Sequence, residues 1–369
     1  MEANTSQKEP HAERPANPAD RIRVGRVVWP LLIGAGVVAW LFAREFDAAV
    51  LKDVHLTAGS LLWLCLAILF MAGRDIGYMA RIRVLSRQQL SWRQAFRVIM
   101  LWEFTSAVTP SAVGGTSVAV VYVHKEGIDV GRSTAIVMLT SLLDELYFVV
   151  MFPLLLLAAG AGNLVSGGAE WGAAGRGLMG AAFAGFGLKL LWVCIMAYGL
   201  FINPRGVRRL LGGVFRLRPL RRWRRAAVKC GSDLVAGAEE IRGRGRGFWA
   251  AAGATTFLSW SCRYLVANAL IMALFSVGDH FLLFARQLVM WVMMLVMPTP
   301  GGSGFAEYLF TACCSDLISV PAAMQAGAAA LTALLWRMVT YYPYLAIGAV
   351  MFPRWAAEKL GRRRKGVRA

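Results

Sequence analysis

Residues 297–310 read MPTPGGSGFAEYLF and interrupt an apolar run that extends over 281–314. Proline removes a backbone donor and paired glycines do not hold helix, so this run should be two half-helices joined by a bend. A second apolar run, VIMLWEFTSAVTPSAVGGTSVAVVYV at 98–123, is broken in the same way. The two breaks are alike in sequence, TPSAVGGTS at 109–117 and TPGGSGF at 299–305, and Gly114 and Gly301 lie 187 residues apart, about half the chain.

The surroundings of these breaks are those of a membrane protein. The chain has 369 residues, of which 57% are hydrophobic and only 17% charged, with 13 Trp and a mean hydropathy of +0.54. That is too apolar for a soluble domain. A helix needs roughly 20 apolar residues to cross the hydrocarbon core, and six segments qualify: 25–43, 56–73, 133–158, 180–203, 248–276 and 322–352. Residues 1–23 read as a polar, Pro-rich disordered tail without a signal-peptide pattern, so 25–43 is expected to be a retained anchor. The six Cys have no paired spacing, and Cys65, Cys194, Cys262 and Cys313 fall inside apolar runs as small core residues.

Charge sets the expected topology. Forty Lys and Arg against 21 Asp and Glu give a formal charge of +19, and the basic residues fall between apolar segments, where they report orientation rather than nucleic-acid binding. If both broken segments crossed, the Arg-rich loop 204–246 would lie outside. If each enters and returns on one side, 33 of the 40 basic residues become cytoplasmic. The expectation is therefore an all-α polytopic protein with six transmembrane helices and two re-entrant Pro-Gly-Gly hairpins, the first opening to the cytoplasm and the second to the exterior. Both termini, including the basic tail 353–369, would be cytoplasmic.

Each hairpin is preceded by two spans and followed by one, and the halves start on opposite sides. This makes the domain 24–352 an inverted repeat, about 24–160 and 180–352. Inverted repeats with broken helices near the midplane are built like secondary transporters, with the substrate where the breaks meet. A half-helix N-terminus presents free N–H groups and a partial positive charge, which suits a phosphate or carboxylate. Pro110, Gly114, Gly115, Thr116 and Ser117 in the first break and Pro300, Gly301, Gly302, Ser303 and Gly304 in the second are the expected head-group cradle, a membrane analogue of a Gly-rich anion site.

Ionisable groups at membrane depth are functional candidates. Eight are expected there: Glu103, Asp144, Glu145, Lys189, Arg263, Arg286, Glu307 and Arg337. Arg263 and Arg337 are assigned to the head group because a guanidinium holds phosphate in bidentate fashion, and Glu103, Asp144 and Glu307 to counter-charge or proton coupling. Arg286 and Lys189 lie near helix ends and are expected to snorkel to the head groups. Adjacent positions diverge on a helix, so Asp144 and Glu145 should point apart. Tyr341, Tyr342 and Tyr344 read as an interfacial belt or packing feature.

Enzyme chemistry fits less well. Gly301-Gly302-Ser303-Gly304 matches a G-x-S-G pattern, but His11, His55, His124 and His280 all fall in tails or loops, away from any serine at membrane depth. No H-E-x-x-H occurs, and no cofactor or metal site is expected.

The motifs TPSAVGG, LLDELYF, MPTPGGSGFAEYLF and LLWRMVTYYPYLAIG together resemble the transmembrane region of lysylphosphatidylglycerol synthases and the stand-alone flippase-like proteins related to it. On that resemblance Pro298, Pro300, Gly301, Gly302, Gly304, Glu307, Asp144 and Arg337 fall on motif positions. Thr116-Ser117-Val118-Ala119 stands where the family often has a charged residue and then Arg. Aminoacyl-transferring members carry a large soluble C-terminal domain, and lysyl transfer is not expected of this chain. What the resemblance implies is flippase-like translocation of a phosphate-bearing lipid or lipid-linked precursor across the inner membrane. The lipid would be an anionic or aminoacylated phospholipid or a polyprenyl-linked precursor, and a lipid-modifying enzyme a possible partner. The alternative is a non-catalytic membrane partner or scaffold for such an enzyme, docked through 204–246.

Overall fold

A computed structural model describes residues 57–108, 112–164, 172–203, 243–294 and 304–361, with scattered positions of the basic loop between 205 and 235. The tail 1–23, the expected first span 25–43, both Pro-Gly bends (109–111 and 295–303), much of the basic loop and residues 362–369 lie outside the described residues.

The described chain is helical, with one isolated antiparallel bridge between Val277 and Ile318. In order the helices are α1 (Ala58–Leu85), α2 (Trp92–Val108), α3 (Ala112–Lys125), α4 (Val130–Ala159) and α5 (Gly172–Ala197, extended by a π turn over Tyr198–Ile202). They are followed by α6 (Arg246–Leu274), α7 (His280–Met293), α8 (Phe305–Cys314), α9 (Ala322–Thr340) and α10 (Tyr342–Gly361). Local chemistry explains several boundaries. Thr57 and Ser60 form a reciprocal capping box at the start of α1, and Ser91 with Gln94 does the same for α2. Asp129 caps α4 and Asp279 caps α7 through their side chains. Arg87 and Gln88, both at positive φ, turn the chain between α1 and α2.

Five segments are long and apolar enough to cross a membrane: Ala58–Leu85, Val130–Ala159, Met179–Ala197, Arg246–Leu274 and Ala322–Lys359. Two expected spans need correction. The span 56–73 continues to Leu85, because Arg74 and Arg81 find buried partners inside the bundle and are not loop residues. The span 322–352 is two helices that break at Tyr341, with Pro343 in the first turn of the second, where its missing N–H is tolerated.

The two halves share one plan. A long helix, two shorter helices and another long helix occur as α1–α4 and again as α6–α9. The starts of α1 and α6, and of α2 and α7, are each 188 residues apart, and the starts of α4 and α9 are 192 apart. The four extra residues therefore fall between the start of α7 and the start of α9. Every packed pair within α1–α4 has its counterpart within α6–α9, and α1 meets α9 as α6 meets α4.

At the centre α1 and α6 form the most extensive helix pair. Gly73 and Gly77, four apart on one face of α1, bring the backbones together: a Cβ at 77 would lie 2.4 Å from Ser259 Oγ and 3.0 Å from the Thr255 carbonyl oxygen. Small residues at this spacing let membrane helices approach closely. On the flanks, α10 seats Gly348 against Phe104 of α2, and α5 seats Gly185 against Val292 of α7. Phe104 and Val292 are themselves 188 residues apart.

A buried charge cluster as the candidate functional site

Arg74, Tyr78 and Arg81 follow at i, i+4 and i+7 on α1 and so share one face. Arg74 is fully buried. Its Nη1 donates to Asp75 Oδ1 at 2.8 Å and to the Tyr344 hydroxyl at 2.6 Å, and Nη2 pairs with Glu103 Oε1 at 2.7 Å. The Tyr344 hydroxyl in turn donates to Asp75 Oδ1 at 2.7 Å. One turn and a half further on, Arg81 grips Asp144 with two bonds of 2.6 and 3.1 Å, and the Trp260 indole N–H donates to the same carboxylate at 2.7 Å. Tyr78 lies between the two arginines, each guanidinium carbon 4.7 Å from its ring centroid. Buried charges persist only when paired and hydrogen-bonded, and these two arginines draw partners from α1, α2, α4 and α10.

Arg263 differs. Its guanidinium carbon stands 4.2 Å from the Trp291 ring centroid and 5.3 Å from that of Trp260, and the residue is half-buried. Among the described residues no carboxylate lies within salt-bridge distance of it. It remains within electrostatic reach of Glu103 and Tyr78. The cluster thus contains three arginines and three carboxylates, and the side chains of Asp75, Glu103 and Asp144 are each 20–25% exposed. Arg263 is the cation left for something else.

The second break is arranged otherwise. Gly304, at φ +85, caps α8, and its N–H donates to Glu307 Oε2 at 2.8 Å. Arg337 from α9 grips the same carboxylate through Nε (2.7 Å) and Nη2 (3.3 Å), and both side chains are buried. A carboxylate at a helix N-terminus already meets the partial positive charge there. The expected anion cradle at Gly304 therefore holds the chain's own Glu307, neutralised by Arg337. Pro300, Gly301, Gly302 and Ser303, like Pro110, lie outside the described residues.

In the first break, Gly114, Gly115, Thr116 and Ser117 belong to the opening turns of α3. Gly115 is buried against α2, where a Cβ would stand 2.1 Å from Ser106 Oγ and 3.1 Å from its Cα. Its close approach is to the partner limb of the hairpin, which Thr105 and Tyr122 also join through a 2.6 Å hydroxyl pair.

Asp144 and Glu145 do point apart, to Arg81 and to Lys189. Lys189 and Arg286 do not snorkel. Lys189 is buried, pairs with Glu145 at 2.6 Å and lies 4.4 Å from the Phe148 centroid. Arg286 is buried against Asp316 and donates to the carbonyls of Asn163 and Cys313, both at 2.8 Å. A partner within the bundle removes the reason to reach for the interface. Tyr344 is likewise a ligand of the ion cluster rather than part of an interfacial belt, and Tyr341 donates to the Ala107 carbonyl at 3.2 Å.

Arg74, Asp75, Arg81 and Tyr344 were not anticipated as site residues. The apolar run of α1 stops at Arg74 by composition, so the charges beyond it read as a loop; the i, i+4, i+7 spacing of Arg74, Tyr78 and Arg81 was the usable signal.

Residues 27–348 match the family described as the lysylphosphatidylglycerol synthase TM region. A UPF0104 membrane protein of Archaeoglobus fulgidus is 22% identical over 351 residues, an alignment that takes in 87% of this chain and 94% of that protein. With a match over most of its length, and with five helices long and apolar enough to span a bilayer, this integral membrane protein belongs to the lysylphosphatidylglycerol synthase transmembrane-region family.

Proposed function

We propose that the chain translocates a phosphate-bearing lipid or lipid-linked precursor between the leaflets of the cell inner membrane. The observation that carries this is Arg263: a guanidinium at the centre of the helical bundle, half-exposed, backed by Trp260 and Trp291 and without a carboxylate at salt-bridge distance among the described residues. A phosphate would complete it with charge-assisted hydrogen bonds. Glu103 and Asp144 act as counter-charges when the site is empty. Arg337 and Glu307 hold α8 in place, and the flanking Pro-Gly-Gly segments 109–115 and 298–304 line the route.

Helix lengths support the re-entrant arrangement. At 1.5 Å per residue α3 and α7, with 14 residues each, reach about 21 Å, and α8, with 10, reaches about 15 Å, against a hydrocarbon core of about 30 Å. In this reading 25–43 is the sixth span, α2–α3 opens to the cytoplasm, α7–α8 to the exterior, and both termini are cytoplasmic. The family description names a synthase of an aminoacylated phospholipid, which agrees with a lipid of this class and with a lipid-modifying enzyme as partner.

The test is reconstitution into phosphatidylcholine liposomes carrying fluorescent phosphatidylglycerol, with inner-leaflet lipid measured by protection from a membrane-impermeant reductant. Movement between leaflets above that of protein-free liposomes is expected. A rate equal to that background for phosphatidylglycerol, its lysyl ester and a polyprenyl phosphate would reject transport and favour the scaffold role.

A further inference from the structure

Arg74 serves two carboxylates at once. Asp75 uses only Oδ1 and Glu103 only Oε1 in their contacts with it, so one oxygen of each has no hydrogen-bond partner among the described residues. Arg74 Nε is also buried without an acceptor. Arg81 and Asp144, by contrast, are matched one to one and closed by Trp260 and Thr256. The whole set balances only because Arg263 stands within electrostatic reach of Glu103. Once a phosphodiester monoanion binds Arg263, three guanidinium groups face four anions in a poorly solvated site. An uncompensated charge there is strongly unfavourable.

We propose that the Asp75–Glu103 pair is the coupling site, taking up one proton when an anionic head group binds Arg263. The inference rests on the reading of Arg263 as the head-group site. In the step a proton from water bonds to a free carboxylate oxygen of the pair, using a lone pair on that oxygen, and one negative charge is removed; no other covalent bond changes. The proton belongs to the pair, because two carboxylates that share a guanidinium titrate together. The groups facing the pair are Arg74 and Tyr78 from α1, Tyr344 from α10 and Arg263 from α6, with Arg81 and Asp144 beyond them; Arg337 on α9 is engaged by Glu307. The Tyr344 hydroxyl, which joins Arg74 and Asp75, holds the pair in register. Translocation of an anionic lipid would then carry a proton with it, and the proton gradient would supply the driving force.

The test uses the purified full-length protein in detergent and dioctanoyl phosphatidylglycerol, whose phosphodiester keeps a single charge from about pH 5.5 to 8. Binding is followed by the fluorescence of Trp260 and Trp291, and proton uptake by a pH indicator in weak buffer. Affinity should rise as pH falls, by up to about tenfold per unit for one linked proton, with alkalinisation of the medium on binding. Asp75→Asn, which leaves Arg74 a single carboxylate, should bind with nearly the same affinity at every pH. Saturable binding with a pH-independent Kd and no proton uptake by the wild-type protein would overturn the coupling while leaving the head-group site intact. Absence of saturable binding at any pH would overturn the head-group reading itself.

Discussion

A Cβ placed on Gly77 would stand 2.4 Å from the Oγ of Ser259, and that hydroxyl is itself committed to the Arg74 carbonyl at 2.9 Å. Backbone atoms close the other sides, with the Thr255 carbonyl at 3.0 Å and the Ser259 nitrogen at 3.1 Å. Gly77→Val is therefore expected to separate α1 from α6 and to destabilise the protein by about 1–3 kcal/mol, despite the better helix propensity of a non-glycine residue. Thermal unfolding in detergent checks this: Tm should fall, and the charge cluster built on the α1–α6 seam should loosen with it. An unchanged Tm would mean that the two helices do not meet at this point.

The Arg81–Asp144 pair bears on how the cluster is held. Removing one member strands a charge in the bundle, so Arg81→Met or Asp144→Asn alone should cost about 3–5 kcal/mol, while the double variant should cost less than the sum by more than about 1 kcal/mol. Simple additivity would contradict a direct bidentate contact.

The repeat makes a paired prediction. Gly348 against Phe104 and Gly185 against Val292 are equivalent seatings of a flanking helix on the first limb of each hairpin, so Gly348→Leu and Gly185→Leu should both lower Tm, each by an amount corresponding to about 1–3 kcal/mol of overpacking. Sensitivity at one position alone would break the equivalence of the two halves.

Arg337 and Arg263 should separate structure from binding. Arg337→Ala leaves Glu307 buried and unmatched at the N-terminus of α8, and the yield of monodisperse protein on size exclusion should collapse. Arg263→Ala removes only stacking on Trp260 and Trp291, about 0.5–2 kcal/mol, and should leave that yield close to wild type.

Much of this architecture can be read from residue order, and the reasons it stops where it does are physical. Period and length identify the helical membrane class, and the resemblance of TPSAVGGTS to TPGGSGF points to a repeat that the 188-residue offset of helix starts bears out. The true extent of α1 is hidden because a run of charges after an apolar segment looks like a loop until the partners on α2, α4 and α10 are known. Partnering is long-range: Arg74 meets Tyr344, 270 positions away. For the same reason Lys189 and Arg286 look like interfacial residues in sequence, and Glu307 looks free to meet a ligand although it caps its own helix. The singling out of Arg263 survives, through the tryptophans that flank it rather than through any motif.

The most direct measurement is the rate at which fluorescent phosphatidylglycerol crosses liposomes containing equal amounts of wild-type protein or Arg263→Ala. The wild type should move lipid above the protein-free background, and Arg263→Ala should reduce that excess by about tenfold or more, the loss expected when about 1.4 kcal/mol of head-group interaction is removed. A folded Arg263→Ala protein that moves the lipid as fast as the wild type would contradict the account.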